Sequence, residues 1–279
     1  MKNNILVIGG TGKTGRRVVK GLKAQGQNVR IGTREAEIPF DWEKPETYAP
    51  ALNGMDMAYI VYYPDLAVPG AKEAIKALSE TALKAGLEKV VLLSGKGEEE
   101  AERCEEIIAY SGLNYTLVRA SWFAQNFSEA FLRDPILAGT IAMPMPEAKI
   151  PYVDADDIAE VVVKVLLDPA YNSQTIEVTG PERLTFAEVA AAISQGIGRP
   201  INYQPISMEA FAGGMKAAGL PDDYIWLFSY LFREVLGRDE LQTVSHDVER
   251  VLGRKATSFK EFVAKTVPTG AWNVPVDVL

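Results

Sequence analysis

The stretch "ILVIGGTGKTGRRVV", residues 5–19, carries two overlapping glycine patterns that imply different loops. Gly12-Lys13-Thr14 matches the end of a triphosphate loop, G-x-x-x-x-G-K-[ST]. That motif needs a glycine five residues before Gly12, and position 7 is Val7. The alternative is complete: Gly10, Gly12 and Gly15 satisfy G-x-G-x-x-G, and Gly9, Gly12 and Gly15 satisfy G-x-x-G-x-x-G. Residues 5–8 form an apolar run suited to a buried parallel strand. Val18, Val19 and Leu22 then recur at helical spacing up to the stop signal at Gly26. In a strand, glycine turn and helix, glycines let the backbone approach a pyrophosphate, and the helix N-terminus stabilises it with amides and dipole. The loop reads as dinucleotide-binding.

Working outward, strand-like runs recur at 28–34, 57–63, 89–94 and 115–119, with helical patterns at 71–85 and 98–110. This alternation predicts an α/β fold with a Rossmann-like parallel sheet covered by helices. Ligands bind beyond the carboxyl ends of such strands, so Gly9, Arg34, Tyr62, Tyr63 and Ser94 should converge there. Beyond residue 120 the pattern loosens to a proline-punctuated loop at 143–151, a helix at 154–167 and a strand at 174–179. Helices follow at 185–197 and 208–241, the second interrupted at Gly213-Gly214 and at 219–221. The expected organisation is one unit, 1–279. Its core is 1–120 and about 150–180, and its small C-terminal substrate lobe is about 121–149 and 181–279.

A net charge of -8, from 29 Lys+Arg against 37 Asp+Glu, argues against nucleic acid or an anionic membrane as partner. The one cysteine, Cys104, allows neither an internal disulfide nor a thiolate metal cluster. The N-terminal apolar run is too short for a signal peptide, and "IWLFSYLF" at 225–232 is too short to span a bilayer. The expectation is a cytoplasmic protein with a small-molecule substrate.

The end of the second strand bears on the cofactor. An acid there would bind free ribose hydroxyls, whereas an arginine pairs with an extra phosphate. The sequence offers Thr33-Arg34-Glu35, and Lys13 supplies a second cation nearby. Two cations suit a phosphate, which favours NADP(H) over NAD(H).

Together these segments resemble the NmrA-like branch of the atypical short-chain dehydrogenase/reductase superfamily, and within it the bacterial relatives of the ergot-alkaloid festuclavine and agroclavine dehydrogenases. The resemblance runs through "GGTGKTGRRVV", "FDWEKPETYAPAL", "VVLLS", "SGLNYTLVRASWFAQNF", "VDADDIAEV", "TGPERLTFAEVAAAIS" and "DVERVLG". It implies a Rossmann core, a small C-terminal substrate lobe and NADP(H). Carried over by residue, Gly9, Thr11, Gly12, Lys13, Thr14 and Gly15 match the phosphate loop, Arg34 the ribose-phosphate contact, and Asp41-Trp42 the segment beside the adenine. Trp122, Phe123, Asn126 and Phe127 match the segment facing the nicotinamide. One departure is Arg119-Ala120, where the family usually has Arg-Pro.

The superfamily's usual catalytic pair is Tyr-x-x-x-Lys, whose lysine readies the tyrosine to exchange a proton. No tyrosine here has a lysine four residues later, and the region after Ser94 reads "GKGEEEAERCEEII". No catalytic residue is therefore assigned. Ser94 is expected to cap backbone amides. A carbonyl needs a proton on hydride attack, but an iminium becomes a neutral amine without one, which agrees with the resemblance. A conjugated C=C or quinone, protonated by water, Tyr62, Tyr63 or Tyr152, is the next acceptor. Asp154, Asp156 and Asp157 read as the cap and first turn of a helix, Glu98-Glu99-Glu100 as a solvated helix start, and the lone His246 as a surface or capping residue. No metal site is expected. Two functions result: an NADPH-dependent reductase of a small electrophile, or a redox sensor that binds the dinucleotide and acts through a protein partner.

Overall fold

The computed structural model describes residues 2–274. In chain order the elements are β1 (Asn4–Ile8), α1 (Lys13–Ala24), β2 (Asn28–Gly32), α2 (Tyr48–Leu52), β3 (Met57–Ile60), α3 (Ala71–Lys84), β4 (Lys89–Gly95), α4 (Glu99–Ala109) and β5 (Asn114–Ala120). They continue with α5 (Arg133–Leu137), β6 (Thr140–Met143), α6 (Ala155–Leu167), β7 (Gln174–Val178), α7 (Phe186–Ile197), β8 (Asn202–Pro205), α8 (Met208–Ala217), α9 (Asp222–Tyr230), α10 (Asp247–Leu252) and α11 (Phe259–Thr266). The chain divides into two compact units. One contains Met1–Ala120, Ala155–Val178 and Asp247–Arg254, and the other contains Ser121–Asp154, Thr179–His246 and Lys255–Leu279.

In the first unit six strands pair in parallel in the order β2-β1-β3-β4-β5-β7. Sequential strands run outward from β1 in opposite directions, so β1 marks the switch point where such sheets open a crevice beyond their carboxyl ends. Ile5, Leu6, Val7 and Ile8 are all buried, as a strand covered on both faces requires. On one face Leu6, Ile8, Ala58, Ile60, Val90, Leu92 and Leu117 pack with Ile75 and Leu78 of α3 and with Ala101, Cys104 and Ile108 of α4. On α1, Gly21 meets Val163 of α6 so closely that a Cβ would come within 2.9 Å of its Cγ2.

The sequence placed residues 247–254 in the C-terminal lobe, but they belong to this first unit. Two polar clamps explain why: the Asp247 carboxylate accepts the Glu177 amide at 2.8 Å, and Arg254 donates to Asp157 and Glu160 at 2.8 and 2.7 Å. The three aspartates do stand at one helix start, with Asp154 directly before Ala155, the first residue of α6. Asp156 and Asp157 lie in the first turn of α6, where Arg17 and Arg254 bind them. Asp154 belongs to the second unit, buried and bound by the Gln125 amide at 2.7 Å, with the Lys265 ammonium 3.7 Å away. His246 is exposed just ahead of α10.

The second unit holds a feature missed in the sequence, a two-stranded parallel sheet in which Thr140–Met143 pairs with Asn202–Pro205. These strands are only four residues long, and β8 is largely polar, so periodicity does not reveal them. Its core is aromatic: Phe127, Tyr152, Phe186, Phe232, Phe259 and Trp272 are all buried. Thr185-Glu188 and Ser258-Glu261 form capping boxes on α7 and α11. The expected break at Gly213-Gly214 is absent, because α8 runs through both. Each glycine costs about 1 kcal/mol relative to alanine, but the Ser207 cap and buried Phe211 and Met215 hold the helix.

Lys89 opens β4 as a buried lysine, 4% exposed, donating to the carbonyls of Val165 at 2.5 Å and Asp168 at 3.2 Å. Burial pushes its ammonium down to about 8 from an ordinary value of 10.5. Between these two values the unfolded chain binds more protons than the folded one, so this group makes stability rise with pH. Denaturant unfolding from pH 7.5 to 10.5 is expected to show that rise in the wild type and to show less of it in Lys89→Met; equal slopes would contradict the assignment.

Candidate functional site

The glycine turn after β1 is built by close backbone approach. Gly9 has φ of 70°, its N–H donates to the Gly32 carbonyl at 2.9 Å, and its own carbonyl accepts the Gly12 amide at 2.9 Å. A Cβ on residue 15 would collide with the Gly9 carbonyl, and one on residue 10 would lie 2.9 Å from Ile31 Cγ2 and 3.0 Å from the Val7 oxygen. Gly12 is the N-cap of the twelve-residue α1 and makes no side-chain hydrogen bond to its first turn. An anion held by backbone amides fits this cradle. Thr11 is exposed and Lys13 half-buried, whereas Thr14 is buried and its Oγ1 accepts from the Tyr59 hydroxyl at 3.1 Å. Thr14 thus anchors the turn to the sheet from below and offers the crevice its backbone.

At the neighbouring strand end β2 stops at Gly32, two residues earlier than expected, so Arg34 is an exposed loop residue beside Glu35. Among the described residues no ion pair engages Arg34. Asp41 is turned inward: its carboxylate accepts the Glu43 amide at 3.1 Å and sits 3.7 Å from Lys44. Trp42 donates through Nε1 to the Val61 carbonyl at 3.2 Å, and its ring lies 4.9 Å from Phe40 and 4.8 Å from Tyr62. The Tyr48 hydroxyl donates to the Trp42 carbonyl at 2.8 Å and is pushed up to about 12 by burial. This aromatic floor places Trp42 and Tyr62 together; Tyr63 is exposed. Burial also raises Tyr62.

Ser94, next to the end of β4, is 5% exposed, and its Oγ has no hydrogen-bond partner, so it caps no amide as the sequence suggested. A second correction concerns Glu98. It is not a solvated helix residue but is 8% exposed, and its carboxyl packs where a Cβ on Gly95 would stand. In the β3-α3 connection the Asp65 Oδ1 accepts the Ala67 amide at 2.8 Å. Burial first, then the Asp65 charge, raise Glu98 well above the carboxylate range; burial raises Asp65 as well. The sequence shows only a run of three glutamates. Gly95, whose missing side chain makes room for one of them, was the available signal.

Within the second unit, Phe123 bridges Val153, the Val153 amide donates to the Trp122 carbonyl at 3.0 Å, and the Ala124 amide donates to the Val153 carbonyl at 2.8 Å. The following turn, Ala124–Phe127, leaves Asn126 half-buried beside buried Phe127. The Trp122 ring lies 5.1 Å from Phe232 and 6.4 Å from Phe131, which in turn meets Phe228 at 5.0 Å. Trp122 Nε1 is buried without a partner. Tyr152 is sealed against Phe127, Phe186 and Phe259, and burial raises its hydroxyl far above the ordinary tyrosine value. Among the described residues no group of three or more histidine, cysteine, aspartate or glutamate side chains could hold a metal, and no helix is long and apolar enough to cross a membrane.

The model of the NmrA-like family matches residues 99–266, and that of an NAD(P)H-binding domain matches residues 9–169. The NAD(P)H azoreductase of Xenophilus azovorans is 32% identical, with 92% of this chain and 96% of that protein covered. Agroclavine dehydrogenase of Claviceps fusiformis is 27% identical, with 93% and 96% covered. Among solved structures, the NADPH-dependent quinone oxidoreductase of Escherichia coli, complexed with NADPH, superposes with a TM-score of 0.77 at 20% identity, covering 94% and 99%.

The cradle predicts that Gly15→Ala weakens NADPH binding roughly tenfold or more, since forcing a methyl into close-packed backbone costs about 1–3 kcal/mol. Titration calorimetry on the folded variant tests it; wild-type affinity would mean that the turn does not hold the cofactor.

Proposed function

The chain belongs to the NmrA-like family and is an NAD(P)H-dependent oxidoreductase, and from that premise we propose that it reduces a small electrophile, an iminium, an activated C=C or a quinone, without a Tyr-x-x-x-Lys dyad. The observation that carries this reading is the glycine cradle set against the uncapped N-terminus of α1, in a chain where no tyrosine precedes a lysine by four. When bound, NADPH supplies the hydride. Gly9, Gly12, Gly15 and the backbone of Thr14 hold its pyrophosphate, Thr11 and Lys13 flank it, and exposed Arg34 pairs with the ribose phosphate. Asp41 orients the loop through its turn, while Trp42 and Tyr62 form an apolar wall with Tyr63 at its edge. The electrophile is held by Trp122, Phe123 and Asn126, whose aromatic surroundings suit a flat, apolar molecule with a polar group for the Trp122 N–H.

Removing the guanidinium in Arg34→Ala is expected to weaken NADPH by about 10–100-fold, the worth of charge-assisted bonds of roughly 1.5–3 kcal/mol, and to leave NADH nearly unchanged. Calorimetry with both nucleotides decides. Equal losses, or a wild-type preference for NADH, would remove NADP(H) as the cofactor of choice.

The acceptor follows from proton accounting. Hydride attack on an unactivated ketone makes a strongly basic alkoxide that needs a proton at the same oxygen as it forms, and a missing general acid costs about 10²–10⁴ in rate. An iminium accepts hydride and becomes neutral. The enzyme is therefore expected to reduce a preformed iminium at least about 10²-fold faster than the matched ketone, followed by NADPH oxidation. Comparable ketone reduction, abolished by changing one of Tyr62, Tyr63 or Tyr152, would overturn the dyad-free reading.

A further inference from the structure

Two of the four tryptophans spend their indole N–H inside the protein: Trp42 donates to the Val61 carbonyl at 3.2 Å and Trp272 to the Phe127 carbonyl at 2.8 Å. Trp122 Nε1 is buried as well, yet among the described residues it meets no acceptor. Its surroundings explain why. Within the second unit Trp122 belongs to a closed chain of aromatic contacts: its ring lies 6.4 Å from Phe131, Phe131 lies 5.0 Å from Phe228, and Phe228 lies 6.4 Å from Phe211. Phe211 is 5.1 Å from Phe232, which returns to Trp122 at 5.1 Å, and Phe186 approaches Trp122 at 6.1 Å. Burial across this enclosure is graded. Phe186 and Phe232 are completely buried, Trp122 and Phe228 are half-buried, and Phe131 is 40% exposed. Of the three rings against Trp122, Phe131 is therefore the one that faces solvent. It stands between the turn Ala124–Phe127 and α5, in a stretch that is neither helix nor strand. A buried donor left unpaired carries the full cost of its desolvation, which is recovered only when an acceptor arrives.

An indole N–H donates a hydrogen bond but is far too weak an acid to give its proton away. What it can do in a reduction is hold negative charge. When hydride adds to the β carbon of an enone, the C=C electron pair shifts and charge collects on the carbonyl oxygen as an enolate, while NADPH becomes NADP+. A fixed neutral donor at that oxygen stabilises the transition state more than the ground state, and most strongly where water is excluded. The enolate then takes a proton from water at carbon, so that enone, NADPH and water give saturated ketone, NADP+ and hydroxide. The alkoxide of a simple ketone is too basic to wait for that proton, and an iminium develops no negative charge for the N–H to hold. The surrounding rings set the shape of the acceptor. Phe131 meets Phe228 edge to face and Trp122 at a tilt, the contacts that a flat conjugated ring would make on taking its place. We propose that Trp122 Nε1 is the donor that stabilises the developing oxyanion of a planar aromatic enone, which enters by displacing Phe131. This rests on the reductase reading given above and assigns that site a catalytic residue and an acceptor class.

The test uses the full chain with benzylideneacetone, a flat aryl enone, and N-methyl-3,4-dihydroisoquinolinium, an iminium of similar size, together with a readout that needs no turnover. Trp122→Phe keeps an aromatic ring and removes the N–H. It is expected to lower the enone-to-iminium ratio of kcat by about 10²-fold, the usual effect of losing one oxyanion donor, while Trp226→Phe on the exposed side of α9 leaves the ratio unchanged. Without NADPH, saturating benzylideneacetone should move one indole N–H resonance of the wild type downfield, the resonance that Trp122→Phe lacks. If Trp122→Phe does not fold, that resonance is assigned by elimination from variants of the other three tryptophans, and its shift decides. Phe131→Ala should bind benzylideneacetone faster than the wild type in stopped flow; association no faster overturns the route past Phe131. A folded Trp122→Phe with an unchanged ratio, or a wild-type resonance that does not move, overturns the donor. A wild type that reduces neither acceptor removes the reductase reading and the catalytic role with it. An active wild type whose ratio is insensitive to Trp122→Phe removes the donor alone.

Discussion

The contact on which the rest of the first unit depends is the one between Gly15 and the carbonyl of Gly9, a separation no side chain could enter. It draws the first turn of α1 down onto the end of β1, fixes the left-handed Gly9 whose amide reaches Gly32, and so binds the ends of β1 and β2 together. The Tyr59 hydroxyl on Thr14 adds the end of β3 from beneath. Three strand ends are thus tied to one helix start, the kind of helix N-terminus at which anions bind.

This arrangement was legible because it depends on residue types whose backbone behaviour is specific: glycines at fixed spacing and apolar runs of strand length. The parallel sheet, the helices that cover it, Gly9 after β1 and Ser94 near the end of β4 follow from that pattern, whereas Arg34 lies in a loop because β2 stops at Gly32. What the sequence hid is of another kind. The β6-β8 pair is too short for periodicity, and α8 survives two glycines through packing and a cap that lie outside them. The C-terminal helix α10 belongs with the Rossmann core through Asp247 and Arg254, long-range polar contacts with no local signature.

Glu98 is the clearest case of the same limit. A run of three glutamates before a helix favours solvation and the helix dipole, and two of the three do behave as surface acids, Glu99 and Glu100 both pairing with Arg103. The first does not, because Gly95 leaves a hollow over the strand end that the Glu98 carboxyl fills, and that hollow exists only once the chain after β4 turns back on itself.

The first unit treats its buried charges in three ways. Asp157 and Glu105 are each matched by an arginine, which repays desolvation through hydrogen-bonded charge. Lys89 is surrounded by carbonyls and responds by shedding affinity for its proton. Glu98 has no lysine or arginine partner among the described residues, and burial raises its carboxyl well above the ordinary range. The first group keeps its charge because a guanidinium compensates it, whereas Lys89 and Glu98 respond to burial by favouring the neutral form, so the same desolvation is met by pairing in one place and by a shifted proton affinity in the others.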